Sequence, residues 1–494
     1  MAKPLSILFV TSEIYPYAKE SGIGDFAYSF TLAMRELGHD IRVMTPKYGN
    51  VSERKNKIHE INRLRDIPIP IGDEAFPATV KSSSLSNPRY KVQAYITTNY
   101  KYFDSRKGIY HDLATWKLFD DNFERFLYFS RSVVETCMLL GWYPDIIHCN
   151  DWHTAIIPAY LKLLYPSKFK KTRTVLTIHN LKGQPEIPVS EFTKTGLPKD
   201  ALQSFKHKNM INLFKAGVIY ANYITTVSPT YAKILLTDKE YTNGLNSIFK
   251  EYSNKFKGIL NGIEQYTWNP ANDYYVHKKY DGNAEEFKYH NKVELCKKVG
   301  LEFDSQKPIF GIISKLDASK GLELILEAIP EFIKKDLQLV ILGLGDAEIQ
   351  KKLEKLAKKY SNKLKVVFSM DENLAHQIEA GTDFFILPSI NEPFGLNLLY
   401  SLAYGSIPVV HYSGGFIDTA IDIDENPENG NAIVFKNHTK DDLLQSIKRA
   451  LALFSDKNKL LQLIEKNMQG DYSWRNSASQ YDEIYRNIIK EQNA

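Results

Sequence analysis

Short apolar runs alternate with stretches in which apolar residues recur every three or four positions, the alternation expected of strands followed by amphipathic helices. Residues 5–10 predict a first strand, followed through a loop by a helix beginning near Asp25, whose Phe26, Phe30, Ala33 and Leu37 keep one apolar face. Further strands are predicted at 41–44, 145–148, 174–178 and 223–226. The stretch from about 51 to 97 is less regular and rich in Pro and Ser, and reads as an insertion with some antiparallel strand. The pattern restarts with strands at 309–313, 337–342, 366–368 and 383–387, each leading into an amphipathic helix. Repeated strand–helix units imply parallel sheets covered on both faces by helices. The expected fold is therefore α/β, with two facing Rossmann-like doubly wound parallel-sheet domains and an interdomain cleft. A turn signal at Asn261-Gly262-Ile263-Glu264, ahead of Trp268-Asn269-Pro270, marks the junction. The boundaries are then 1–262, 263–472 and a final helical stretch, 473–494, which could pack back on the first domain.

Composition narrows the function classes. A length of 494 residues fits two or three domains with full cores, and 43% hydrophobic with 24% charged residues is ordinary for a globular protein. A net charge of +5 is small for this length and implies neither nucleic acid nor a membrane surface as partner. The basic run Lys168, Lys170, Lys171, Arg173 reads as a solvated face. Three scattered cysteines, Cys137, Cys149 and Cys296, support neither a disulfide framework nor a thiolate metal site, and fit a reducing, cytoplasmic compartment. The apolar start is too short for a signal-peptide core, and no apolar run approaches the roughly 20 residues that cross a bilayer.

Candidate chemistry collects at the carboxyl ends of the predicted strands, where doubly wound sheets bind ligands. After the 383–387 strand comes Glu392-Pro393-Phe394-Gly395-Leu396, a turn into a helix whose first N–H groups form an anion site beside a carboxylate. A ligand with both phosphate and hydroxyl groups fits that combination, a nucleotide sugar being the simplest; the bland alternative is that Glu392 caps the helix. After the 309–313 strand, Lys315 and Lys320 lie five apart across a tight turn, where two cations can converge on a diphosphate leaving group. Gly343-Leu344-Gly345-Asp346 and Gly414-Gly415-Phe416-Ile417-Asp418-Thr419 are further strand-end turns, the second offering glycine N–H groups and a hydroxyl. In the first half, Lys19, Gly22 and Gly24 allow close backbone approach to a phosphate at a helix start, although the third glycine of the dinucleotide fingerprint is replaced by Ala27, which disfavours a dehydrogenase. His148, Asp151, Trp152, His153 and His179 with Asn180 sit at strand ends and suit recognition of sugar hydroxyls. A zinc site from His148, His153 and His179 competes, but the spacing carries no metal signature. Asp422-Ile423-Asp424 has an Asp-x-Asp form and reads as an acidic surface loop.

These motifs, in this order, resemble the bacterial glycogen synthase and plant starch synthase family, retaining glycosyltransferases with two facing Rossmann-like domains. The resemblance runs from Ile7 to about Ile488. It is carried by the Lys-Thr-Gly-Gly-Leu-Gly-Asp loop (here 19–25), His148 to Trp152, Ile178 to Asn180, Thr226-Val227-Ser228-Pro229-Thr230-Tyr231, Asn261-Gly262-Ile263 with Trp268-Asn269-Pro270, Glu392-Pro393-x-Gly395-Leu396 and Gly414-Gly415-x-x-Asp418-Thr419. It implies that 1–262 is the acceptor side and 263–472 the nucleotide-sugar donor side. It further implies that Lys315 and Lys320 bind the donor diphosphate, that Glu392 contacts the donor glucose, and that His179 and Asp151 line the sugar pocket. Lys19, Gly22, Gly24, Gly395, Leu396, Thr419 and Met370 complete the implied donor-binding set. The implied reaction moves glucose from ADP-glucose or UDP-glucose to the nonreducing end of an α-1,4-glucan or maltooligosaccharide, with retention, no metal and no cofactor. Several positions depart from the family pattern: Lys315 stands for arginine, Glu20 and Ser21 for Thr-Gly, Phe394 for cysteine, and Gly183-Gln184-Pro185 for Tyr-Gln-Gly. Met370 stands where a tyrosine stacks on adenine, unless it is simply core. The alternatives are a related retaining transferase with another sugar or a small acceptor, or a non-catalytic glucan-binding or regulatory homologue.

Overall fold

The computed structural model describes residues 3–493. The chain divides into two compact units, the first being Met1–Asn261 with Trp474–Ala494 and the second Gly262–Ser473.

Unit 1 contains β1 (Ser6–Val10), β2 (Asp40–Pro46), β3 (His59–Glu60), β4 (Ile67–Ile71), β5 (Glu74–Ser86), β6 (Lys91–Thr98), β7 (Ile146–Asn150), β8 (Arg173–Ile178), β9 (Ile187–Pro188), β10 (Lys206–His207), β11 (Met210–Ile211), β12 (Tyr223–Thr226) and β13 (Phe256–Gly258). Its large sheet runs β13-β12-β8-β7-β1-β2-β6-β5-β3, with β4 attached to β5, while β9 to β11 form a small sheet apart. From β13 to β6 every neighbour is parallel. Ile7, Leu8, Phe9 and Val10 of β1 are all buried, which is why the strand reads as a continuous apolar run rather than an alternating one. The irregular stretch holds the antiparallel strands β3, β4 and β5, but it ends in β6, which pairs parallel with β2 and so belongs to the main sheet.

The first helix spans Gly22–Glu36, starting three residues ahead of the expected Asp25. Ser21 explains the difference: its Oγ accepts from Ile23 N at 3.1 Å, a side-chain cap that apolar periodicity does not reveal. The carboxy-terminal helix Arg475–Asn493 belongs to unit 1. Trp474 meets Phe26 and Phe30 edge-on at 5.2 and 5.8 Å, and Tyr485 O–H bonds His148 Nδ1 at 2.6 Å.

Unit 2 contains β14 (Ile309–Ile313), β15 (Gln338–Leu342), β16 (Leu364–Val367), β17 (Phe384–Leu387), β18 (Ile407–His411) and β19 (Ile433–Phe435), all parallel, in the order β16-β15-β14-β17-β18-β19. Strands β18 and β19 lie outside the set expected from the sequence: Pro408 interrupts the first run, and the second is three residues long. This is the 3-2-1-4-5-6 order of doubly wound sheets, with the switch point between β14 and β17, and unit 1 repeats it with the switch between β1 and β7. Helix Leu396–Ala403 is pinned from behind. Trp268 is sandwiched between His376 (3.6 Å, 14°) and Tyr400 (3.7 Å, 16°), while buried Asp273 accepts from His376 Nδ1 and Tyr404 O–H at 2.6 and 2.5 Å.

Candidate functional site

In unit 2 the loops after β14 and β17 meet at the switch point. Asp317 Oδ1 accepts from Lys320 N at 3.2 Å and caps the one-turn helix Ala318–Lys320. Gly321 follows at φ +72°, and a Cβ there would lie 2.0 Å from Pro388 O, so only glycine lets the turn rest on the β17 loop. Across this contact Lys320 Nζ lies 2.6 Å from Glu392 Oε2, and Ser389 Oγ donates to the same oxygen at 3.0 Å. Glu392 does not cap the helix: Gly395 occupies the cap position at φ +81°, with no side-chain capping bond. The capping alternative is therefore corrected. The helix starts at Leu396, and Asn397 Nδ2 ties that first turn to Ile313 O at 2.7 Å.

The β17 loop is held by its neighbours. His411 Nδ1 and Ser413 Oγ donate to Ser389 O at 2.8 and 3.0 Å, and His438 Nε2 donates to Pro388 O at 2.9 Å. Gly415 N donates to Glu392 O at 2.7 Å, and a Cβ on Gly414 would lie 2.0 Å from that same oxygen, so the two turns interlock. Thr419 closes the second turn, its hydroxyl donating to Gly415 O at 3.3 Å. Lys315 is half-buried just before Leu316, whose N–H reaches Leu344 O at 3.0 Å, so the Gly343–Gly345 turn lies beside it. Met370 follows β16 and is 52% exposed, which corrects its reading as core.

Asp422 and Asp424 are not a plain surface loop. Asp422 is buried, and Arg449 Nη2 lies 2.7 Å from its Oδ1 and 2.6 Å from Asp424 Oδ2. Burial alone would raise the Asp422 carboxyl, but hydrogen bonds from Arg449 and from the Val434 and Asp424 N–H groups outweigh it and hold the group below its ordinary value. The guanidinium occupies the place a cation would take between the two carboxylates.

In unit 1 the loops after β1, β7 and β8 carry the candidate groups. Asp151, at φ +53°, is buried, and its Oδ1 accepts from His179 N (2.6 Å) and Asn180 N (3.3 Å). The carboxylate thus lies under the His179 backbone and fixes it. Burial pushes this carboxyl up to about 8, against the lowering effect of those two backbone bonds. Burial pushes His179 down to about 3, so the imidazole is neutral at working pH. Asn150 Nδ2 donates to Val10 O at 2.9 Å, which leaves Oδ1 to accept from His179 Nε2–H at 2.9 Å and makes His179 Nδ1 the acceptor. Both His148 nitrogens are engaged by hydroxyls, of Tyr485 and Thr177, and among the described residues no group of three or more metal-ligating side chains converges. Lys19 pairs with Asp25 at 2.8 Å, and Gly22 and Gly24 form the first turn of the Gly22–Glu36 helix.

Sequence reasoning missed Glu13, which is fully buried and accepts from Glu20 N (2.6 Å), Ser21 N (2.8 Å), Ser21 Oγ (2.6 Å) and Tyr110 O–H (2.8 Å). It follows β1 directly, the strand-end position that selected the other candidates.

Residues 6–251 match the family described as starch synthase catalytic domain, and residues 297–468 match glycosyl transferases group 1. Glycogen synthase of Chlorobaculum parvum is 34% identical, the alignment covering 98% of each chain. The chain belongs to the glycogen synthase family. Glycogen synthase of Clostridium novyi is 36% identical over 98% of this chain and 99% of its own. The catalytic domain of starch synthase IV from Arabidopsis thaliana, bound to ADP and acarbose, superposes with a TM-score of 0.91 at 31% identity, over 99% of this chain and 100% of that one. Sucrose-phosphate synthase from Thermosynechococcus elongatus shares the fold alone, with a TM-score of 0.62 at 15% identity over 98% and 99% of the chains. This member of the glycogen synthase family is a glycosyltransferase of the glycogen and starch synthase type. Among the described residues no helix is long and apolar enough to cross a membrane.

Proposed function

We propose that the protein elongates an α-1,4-glucan by transferring glucose from ADP-glucose or UDP-glucose to the nonreducing end, with retention and without a metal ion, in a reducing cytoplasmic compartment. The observation that carries this reading is the Lys320–Glu392 pair at the unit 2 switch point, beside the start of helix Leu396–Ala403. It puts a cation and a carboxylate beside a helix N-terminus that no side chain caps, which matches a ligand whose phosphate adjoins sugar hydroxyls. The ADP bound to the starch synthase IV relative supports a nucleoside diphosphate as one ligand.

In this reading Lys315 and Lys320 neutralise the departing diphosphate, aided by the N–H groups at Gly395 and Leu396 and by the Thr419 turn. Glu392 accepts hydrogen bonds from donor glucose hydroxyls. The acceptor hydroxyl attacks the anomeric carbon on the face the diphosphate leaves, the bond from that carbon to the phosphate oxygen breaks, and the hydroxyl proton passes to the departing phosphate. Glu392 is not a nucleophile here. His179 acts as a neutral hydrogen-bonding group through Nδ1, and Asp151 fixes its backbone. Lys19, Gly22 and Gly24 belong to the donor-binding set on unit 1, and Met370 lies at the donor's base.

A panel of ADP-, UDP- and GDP-glucose, each with glycogen, a maltooligosaccharide or no acceptor, tests the reading. Glucan-dependent release of ADP or UDP supports it. Absence of turnover with every donor would leave a glucan-binding protein.

A further inference from the structure

Glu20 stands where the family loop has threonine, and the structure shows what the longer side chain does. Its Oε2 accepts from Ile109 N and Tyr110 N, both at 3.2 Å, and its Oε1 lies 2.5 Å from His111 Nδ1. A threonine hydroxyl ends two bonds earlier and carries one oxygen. The segment it grips is rigid on its other side: the fully buried guanidinium of Arg125 donates to Ile109 O at 2.9 Å and to Tyr102 O at 2.7 Å. His111 is further held by stacking on Trp116, with centroids 5.1 Å apart and planes 5° from parallel.

Tyr110 makes the second link. Its hydroxyl donates to Glu13 Oε1 at 2.8 Å and meets Ser12 Oγ at 2.6 Å, while its ring stacks on His153 at 4.7 Å. Glu13 in turn accepts both backbone N–H groups of Glu20 and Ser21. The loop is thus gripped through its own backbone by Glu13 and through its own side chain by Glu20, and both grips end on residues 109–111. Each carboxylate is buried at 8% exposure or less, a costly placement for a charge unless hydrogen-bond donors surround it.

We propose that Glu13 and Glu20 are positioning residues that lock the 19–25 loop to a strap formed by residues 109–111, and that this lock sets the geometry with which Gly22 and Gly24 meet the nucleotide-sugar donor. The proposal rests on the reading of 19–25 as a donor loop. Because the lock orders the loop before the donor arrives, loosening it acts on donor binding more than on the chemical step.

The test uses the full chain with its preferred nucleotide-glucose, comparing Glu20→Thr, Glu20→Gln, Tyr110→Phe and Gly24→Ala for donor KM, acceptor KM, kcat and melting temperature. Gly24→Ala perturbs the loop directly, since its Cβ would sit 3.1 Å from Lys19 Cβ and Cγ. Expected are a donor KM raised about three- to tenfold by Glu20→Thr and Tyr110→Phe, in keeping with the net contribution of an ordinary hydrogen bond, with kcat and acceptor KM near the parent. Glu20→Gln, which keeps an oxygen for the two N–H groups, should recover much of the loss. A raised donor KM in Gly24→Ala alone overturns the lock and keeps the donor loop. An unchanged donor KM in all four overturns both. A lowered melting temperature with donor and acceptor KM unaltered reduces Glu20 and Tyr110 to structural residues and also overturns the lock.

Discussion

Lys320 Nζ lies 2.6 Å from Glu392 Oε2, so the cation assigned to the leaving diphosphate and the carboxylate assigned to the donor sugar are neighbours across the unit 2 switch point. Glu392→Ala should lower kcat about a hundredfold or more, because hydrogen bonds to a charged group contribute about 1.5–3 kcal/mol each. Stability should change by about 1 kcal/mol or less, since Lys320 is part-exposed and can turn to solvent. Turnover per folded molecule and calorimetric stability check this. Near-normal turnover with a large loss of stability would make Glu392 a structural residue.

Activity should survive EDTA, because Lys315 and Lys320 supply the positive charge that a metal ion would otherwise bring to the diphosphate. Arg449 already bridges Asp422 and Asp424 of the Asp-x-Asp segment. Loss of turnover on chelation, restored by Mg²⁺ or Mn²⁺, would contradict this account.

Met370→Tyr should raise the preference for ADP-glucose over UDP-glucose, mainly through donor KM, by about two- to twelvefold, corresponding to an offset aromatic contact of about 0.5–1.5 kcal/mol. At 52% exposure the larger ring has room, so the melting temperature should hold. An unchanged ratio of kcat/KM for the two donors would remove Met370 from the base site.

Stability should depend on pH in two opposed limbs. Buried His148, His153 and His179 are all pushed below the ordinary value of 6.5, His179 to about 3. Between about 3 and 6.5 the unfolded chain therefore binds more protons, and stability falls as the solution is acidified through that window. Asp151, raised from 3.8 to about 8, acts the other way: the folded chain holds the extra proton, and stability falls as pH rises toward 8. Asp151→Asn keeps an oxygen for His179 N and Asn180 N while removing the titration. The melting temperature of the Asp151→Asn variant, taken relative to the parent, should shift in favour of the variant from pH 6 to 8; a pH-independent difference would contradict the Asp151 assignment.

Much of the fold was legible because buried parallel strands are written as short continuous apolar runs, as at β1, β14 and β17. β19 escaped because three residues carry no periodicity, and the first helix begins ahead of its apolar pattern because its cap is a hydroxyl outside that pattern. The strand-end rule found Lys320 and Glu392 without showing that they touch, since that contact depends on Gly321 letting its turn rest on the β17 loop at Pro388. Glu13, Tyr110 and Arg125 stayed hidden because their partners lie up to about a hundred residues away in sequence.

The most direct test of the central claim is the proton NMR spectrum of a maltooligosaccharide after incubation with the preferred nucleotide-glucose. The account predicts chain growth with new anomeric signals of α-1,4-linked glucose at the nonreducing end; β-anomeric signals, or no chain growth with any nucleotide-glucose, would contradict it.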